Sequence, residues 1–361
     1  MRTGVIGVVL LAAIVSVGAP CSAATAWSRV WQSETAAERV TVVGEARTMV
    51  VQDGGELAAT AMVSSAGGKT RFDYRAGRRR WSLVDDGKAL IELDPRRQRA
   101  RLQERPRLAV DRALAERNYT AKETGREVIA GRPTTAVAIA PRAGGPAVLR
   151  LWLDNETGFA LKRERHNAEG RLVSATEYSK VAFGGSVSED LFAVPPSFVI
   201  AYRPPPAEKL TVEGLRERVG FEVSAPGHLP AGFVLTGGYV GEWGRWGLQA
   251  AELRYTDGIR VLSVYERQHR GERDGGRRRH GRRGWGEGDG RGRRGGRGGE
   301  RGHGRGGGGG GGFGPPGEEM SFSDRGYEKA VRLLGPSVVV IVVGDLTREE
   351  LERVARSVAQ R

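Results

Sequence analysis

Five histidines, one cysteine and two groups of neighbouring carboxylates are the residues of this chain whose types could do chemistry. His269, His280 and His303 fall in a glycine- and arginine-rich tract, while His166 and His228 fall in turn sequences. No two of them stand at metal-ligand spacing within a regular element, so no metal site is expected. The single cysteine, Cys21, lies so close to the start that no disulfide framework, thiolate nucleophile or cysteine metal site is available to the rest of the chain. Asp85-Asp86 precedes Gly87, and Asp154-Asn155-Glu156 precedes Thr157-Gly158. Both groups read as turns, because Asp and Asn bond their own backbone and glycine takes positive φ. The second lacks the pattern of a calcium loop and its closing glutamate. The poly-glycine run Gly306 to Gly312 lacks the Lys-Ser/Thr and the strand context of a phosphate loop. The sequons at Asn118 and Asn155 are short enough to arise by chance. No convergent acid, base and nucleophile remain, so an enzyme is not expected and no cofactor is implied.

The elements around these residues indicate a different kind of protein. Residues 1–26 read as an export signal: Arg2, then an apolar run from Val5 to Val17, then small residues with candidate cleavage sites near Ala24 and Ala26. Pro20 fits a lipobox poorly, so Cys21 is expected to leave with the signal, with lipidation as the lesser alternative. No later run approaches the ~18 apolar residues of a membrane span, so the exported chain is expected to be soluble. Trp27, Val30 and Trp31 share one face of a short helix over residues 26–37. From Glu38, short strands follow one another at intervals of about ten residues, punctuated by Gly and Asp turns, the signature of an antiparallel sheet or barrel. Residues 47–51 either continue the strand opened at Val40 or bulge around Gly44, and a helix is expected over residues 106–117.

The stretch Ala147 to Phe183 reads as a three-stranded meander. Leu149, Leu151 and Leu153 alternate with Arg150 and Trp152 in its first strand, and turns follow at residues 154–158 and 166–170. This meander, preceded by a Gly125–Pro133 hairpin, together with Leu191-Phe192-Ala193-Val194-Pro195 after it, resembles the MucB/RseB group of periplasmic sigma-factor regulators. The hairpin is similar to that of LolA-like folds, and the group shares the open-barrel fold of the LolA/LolB lipoprotein carriers. A second stretch, from Pro226 to Tyr265 with Thr256-Asp257-Gly258 as its tight hairpin turn, resembles the smaller C-terminal domain of the same group.

The resemblance implies an α+β chain: a LolA-like open antiparallel β half-barrel wrapping helices over residues 27–195, then a smaller C-terminal α+β domain over 210–361. A Pro-rich linker, 196–209, is expected between them, since Pro195-Pro196 and Pro204-Pro205-Pro206 exclude a central strand. Phe221–Val223 and Phe233–Leu235 read as strands, Thr211 as the N-cap of a short helix, residues 337–343 as a buried strand, and Thr347 with Glu350 as a capping box. The tract 269–317 has no apolar surface to offset its ordering entropy and reads as a disordered insertion. A solvated linker is its first reading, contact with anionic lipid or polysaccharide the second and nucleic acid the third, which the export signal disfavours.

The function that the resemblance implies is binding of the periplasmic part of a membrane anti-sigma factor, shielding it from proteolysis in envelope-stress signalling. A lipid or lipopolysaccharide fragment in the half-barrel would relieve that shielding. The alternative is a periplasmic lipid or lipoprotein carrier of LolA/LolB type. Phe72, Tyr74, Trp81, Leu83, Ile91, Leu149 and Leu151 are the candidate lipid-lining residues, chosen by strand alternation, and plain core packing is the competing account. Periplasmic localisation is expected and no nucleic-acid partner is; a homo-oligomer is compatible with the sequence.

Overall fold

The structure is a computed structural model that describes residues 23–52, 55–104, 111–202, 208–243, 248–268, 319–324, 329–335 and 338–359. The expected export signal up to residue 22, the insertion 269–317, residues 106–110 of the expected second helix and 203–207 of the expected linker lie outside the described residues. The chain divides into two compact units, Met1–Pro205 and Pro206–Arg361.

In the first unit α1 (Ala23–Arg39) precedes a run of strands: β1 (Val42–Gln52), β2 (Gly55–Ala66), β3 (Lys69–Ala76), β4 (Arg79–Asp85), β5 (Ala89–Asp94) and β6 (Arg99–Glu104). A second helix, α2 (Arg112–Asn118), leads into β7 (Tyr119–Ile129), β8 (Arg132–Pro141), β9 (Leu149–Asp154), β10 (Ala160–His166) and β11 (Leu172–Phe183). A 3-10 turn, Glu189–Phe192, and β12 (Val199–Tyr202) complete the unit. The twelve strands form one sheet in the order β12-β6-β5-β4-β3-β2-β1-β11-β10-β9-β8-β7, open at both edges. Two hairpin runs therefore meet where the last long strand, β11, pairs antiparallel with the first, β1. This is the α+β open half-barrel expected from the sequence.

Helix α1 packs against β2, β3, β7 and β9. Its Trp27 and Val30 are buried, Trp27 stacks on Trp31 at 4.8 Å, and Arg29 is bound to Glu123 of β7 at 2.8 Å. Asp111 caps α2, its side chain accepting from the Leu114 N–H at 3.0 Å. The β1–β11 register slips between Glu45 and Ala46, where β11 carries the extra residue, Ser179, so β1 itself continues past Gly44 without a bulge. Two expectations are corrected. Trp152, placed on the polar side of β9, is 6 % exposed, and β9 is buried on both faces from Leu151 to Asp154. Part of the expected linker is a strand: β12 pairs parallel with β6 as the sheet edge, a position that neighbouring prolines permit.

The second unit is a six-stranded antiparallel sheet with two helices. α3 (Val212–Val219) carries the expected Thr211 N-cap, whose hydroxyl accepts from the Gly214 N–H at 3.1 Å. β13 (Val234–Trp243), β14 (Leu248–Thr256) and β15 (Val261–Gln268) form a meander. β16 (Glu319–Asp324), β17 (Lys329–Leu334) and β18 (Val338–Gly344) form a second, followed by α4 (Arg348–Ala359). The order is β13-β14-β15-β18-β17-β16, so the strands before and after the insertion pair with each other through β15 and β18. Leu351, Val354, Ala355 and Val358 of α4 enter the core, and Thr347 with Glu350 forms the capping box, backbone N–H to side-chain oxygen in both directions at 3.1 and 3.3 Å. Phe221–Val223 is not a strand: Val223 is buried, but its carbonyl accepts from the Arg216 guanidinium at 2.8 Å instead of from a ladder partner.

Candidate functional site

The first unit presents an aromatic row built by hairpin register. Phe72 pairs with Leu83 and Tyr74 with Trp81 across β3 and β4, so all four side chains share one face of the sheet. Phe72 and Tyr74 stack at 5.7 Å, Tyr74 and Trp81 at 5.0 Å, and the Arg79 guanidinium lies 5.0 Å from the Trp81 ring centre. Across β2 and β1 the same face continues through Val63, Ala61 and Ala46 to Tyr178 of β11. Burial pushes the Tyr74 hydroxyl up to about 12 and raises that of Tyr178, with the neighbouring Tyr74 adding to the second shift. These are neutral, enclosed phenols rather than acid–base groups.

The seven residues expected to line one pocket do not all meet. Register carries the aromatic face from β2 to β9 through Ala59, Thr48, Thr176 and Arg163 to Leu151, so Leu149 and Leu151 belong to it, at 7 % and 2 % exposure, as packed core. Ile91 is on the other side. It pairs with Val84, whose side chain points away from that of Leu83, and it packs with Leu93, Ala100 and Phe192. Phe192 comes from the Leu191–Pro195 motif, held by the Arg71 guanidinium on the Leu191 carbonyl at 2.9 Å.

A cleft of about 550 Å³ does exist in this unit, but none of the seven lines it. Its walls include Arg47, Met49, Thr60, Arg75 and Glu177. Arg47 pairs with Thr60 and Glu177, and Thr60 with Arg75, which sets them on the face that alternates with the aromatic row. Alanine and methionine line it together with arginine and glutamate, the composition of a site for an amphiphilic ligand.

The sequence reading missed Arg163. It stands between Leu151 and Thr176 on the aromatic face, its Nε enclosed and without a hydrogen-bond partner. Burial lowers its guanidinium pKa, Glu34 of α1 raises it and Arg165 lowers it further. A charged residue on the buried parity of the meander was the available signal.

The meander turn is a structural joint. Arg132, just after the β7–β8 turn, donates to both carboxylate oxygens of Asp154, at 2.7 and 3.0 Å, and to Glu156 at 2.6 Å. Asp154 also accepts from the Thr157 N–H and hydroxyl, each at 2.8 Å. Among the described residues no cluster of three His, Cys, Asp or Glu side chains could hold a metal ion, and no helix is long and apolar enough to cross a membrane.

The model of the MucB/RseB N-terminal domain matches residues 47–196, which takes in the strands from β2 to β11, most of β1 and the Phe192 plug. MucB in complex with MucA(peri) is similar in fold, with a TM-score of 0.55 and 18 % identity, covering 91 % of this chain and 97 % of that one. The Pseudomonas aeruginosa MucA/MucB complex gives a TM-score of 0.56 at 18 % identity, covering 91 % and 96 %. A LolA superfamily protein from Nitrosomonas europaea also matches, with a TM-score of 0.25 and 14 % identity over 46 % of this chain and 97 % of its own. No curated protein matches the chain. Residues 47–196 thus match a MucB/RseB N-terminal domain, and the chain is similar in fold to MucB over 91 % of its length.

Proposed function

We propose that this chain is an exported regulator that binds the periplasmic segment of a membrane anti-sigma factor and thereby modulates its proteolysis. The observation that carries the reading is the likeness of fold to MucB in complex with MucA(peri), which extends over both units and 91 % of the chain. A lipid or lipoprotein carrier of LolA/LolB type needs the half-barrel alone, so the second unit favours the regulator. The cleft on the β1–β3 face supports a finer reading, in which an acylated anionic ligand weakens the complex. Such a ligand acts by its differential affinity for free and bound states.

The test is binding of the purified chain to the periplasmic segment of the single-span anti-sigma protein of the same organism, read by calorimetry and by protection of that segment from a periplasmic protease. Micromolar or tighter binding with protection is expected. No binding, together with recovery of acylated lipoproteins on the chain from an envelope extract, would instead establish the carrier. Lipid that binds without changing the affinity for the segment would remove the finer reading and leave the regulator.

A further inference from the structure

Two neighbouring hairpin ends of the half-barrel concentrate positive charge. The β3–β4 hairpin carries Arg75, Arg78, Arg79 and Arg80 at its tip, and the adjacent β5–β6 turn carries Arg96 and Arg97, all exposed. The turns are tied together, the Arg96 guanidinium donating to the Arg78 carbonyl. Arg75 and Arg80 stand directly opposite each other in the β3–β4 register, where like charges repel. Arg75, Arg78, Arg79 and Arg80 have no ion-pair partner among the described residues, and Arg97 reaches only Asp94, at 3.5 Å. On the second hairpin Arg99 faces Asp94 and Arg101 faces Glu92 across the strands, so the compensating acids are spoken for. The net charge of this corner is strongly positive, and no lysine contributes to it.

We propose that this arginine corner is a docking surface for an anionic lipid bilayer, which orients the half-barrel on the membrane. The geometry selects a plane of phosphates over an acidic polypeptide. The arginines project from turns between β3, β4, β5 and β6, and β4 and β5 are internal strands with both edges already paired. No free strand edge is offered there for a peptide backbone. The β5–β6 turn is also satisfied internally, the Asp94 carboxylate accepting from the Arg96 and Arg97 N–H groups at 3.0 and 3.1 Å. What remains available is a set of exposed guanidinium forks at these turns, suited to phosphate oxygens in a surface. Each basic side chain near an anionic bilayer contributes about 1 kcal/mol, so several acting together are needed for useful binding. The inference goes beyond the proposed function and requires no anti-sigma partner.

The test is sedimentation of the purified chain with vesicles of phosphatidylglycerol and phosphatidylcholine, against phosphatidylcholine alone. Binding to the anionic vesicles only, falling steeply with salt, is expected. A variant with Arg78, Arg79, Arg96 and Arg97 all changed to Gln should bind at least about a hundredfold more weakly, on roughly fivefold per charge. The matching Arg→Lys variant should retain most of the binding, which separates loss of charge from loss of fold. Equal binding to both vesicle types, or full binding by the Gln variant, would overturn the proposal. So would binding that the Gln variant keeps and deletion of the arginine-rich residues 269–317 abolishes. Salt-resistant, saturable binding to polyglutamate with no binding to anionic vesicles would assign the corner to an acidic chain instead.

Discussion

Arg132 and Asp154 join the Gly125–Pro133 hairpin to the meander that follows it. Arg132 follows the β7–β8 turn, where Ala130 and Gly131 both have positive φ, 50° and 78°. Asp154 ends β9 and starts the turn that returns the chain into β10. Their bidentate pair, with the Asp154 side chain 1 % exposed, fixes one hairpin tip against the next turn. Burial alone would raise the Asp154 pKa, but the hydrogen bonds from Arg132 and Thr157 outweigh it and hold the carboxyl below its usual value.

Breaking this pair should be costly. Asp154→Ala leaves the half-buried Arg132 without its main partner and the Thr157 N–H without its acceptor. A loss of about 3 kcal/mol is expected from precedent for buried pairs, measured by urea unfolding of the chain against Glu156→Ala, which removes only an exposed contact and should cost a few tenths. Because the folded carboxyl is depressed, its stabilisation is present above the unfolded value of 3.8 and lost as pH falls through the folded value below it. The wild-type minus Asp154→Asn stability difference should therefore be flat from neutral pH down to about 4 and shrink only in stronger acid.

Gly44 is held by a close approach rather than by an unusual φ. A Cβ there would lie 2.4 Å from the Lys180 carbonyl oxygen and 3.0 Å from the Tyr178 ring. The obstacle is backbone of the paired strand, beside the bulge where the β1–β11 register slips. Gly44→Ala should destabilise the first unit by roughly 2 kcal/mol or more, as overpacking does, whereas Gly125→Ala, with nothing within 4 Å of its Cβ, should be nearly neutral by the same thermal-unfolding measurement.

How much of this was legible in the sequence depends on parity. Alternation gave the strands, and Gly and Asp gave their turns, because those are local. Which face a strand presents is set by the register of each hairpin, and that depends on turn length. Trp81, Leu83 and Ile91 all have odd numbers, but the β4–β5 register pairs Leu83 with Glu92 and Val84 with Ile91, so Ile91 crosses to the Phe192 side. The cleft was out of reach for the same reason: Arg47, Thr60 and Arg75 become neighbours only through two successive registers. Strands β16 and β17 escaped notice because a short, charged alternation such as Lys329–Leu334 gains its burial from β18 beside it and from α4 packed against it.

Packing and binding can be separated by comparing Leu151, from the set of seven, with Arg75 of the cleft. Leu151→Ala should cost about 3 kcal/mol of stability, since Leu151 is 2 % exposed, with no direct effect on a ligand. Arg75→Gln, at the rim of the cleft, should leave stability within about 0.5 kcal/mol and weaken any anionic amphiphile bound there. Unfolding curves together with fluorescent fatty-acid titration check both. If Leu151→Ala, refolded and at full occupancy of the native state, loses ligand while Arg75→Gln does not, the ligand lies on the aromatic face and not in the cleft.

Glu266 makes the second unit respond to pH. It is 2 % exposed on β15, accepts one backbone N–H, from Ser224 at 3.0 Å, and lies near the Tyr255 hydroxyl, which is buried without a hydrogen-bond partner. Burial pushes its carboxyl up to about 7, against the lowering effects of the Ser224 N–H and of Arg216. An acid raised in the folded state binds more protons there than in the unfolded chain between 4.5 and about 7. Stability must therefore fall as pH rises through that window and level off above it. The full span corresponds to roughly 2–3 kcal/mol after allowance for residual solvation. Glu266→Gln keeps a carbonyl oxygen for the Ser224 N–H and carries no charge to bury, so it should abolish the slope and leave the variant more stable than wild type at pH 8. Denaturant unfolding from pH 4.5 to 8, followed through the tryptophans and by far-UV circular dichroism, measures both curves. Parallel curves for the two proteins would show that Glu266 is solvated in the folded state and that the pH response lies elsewhere.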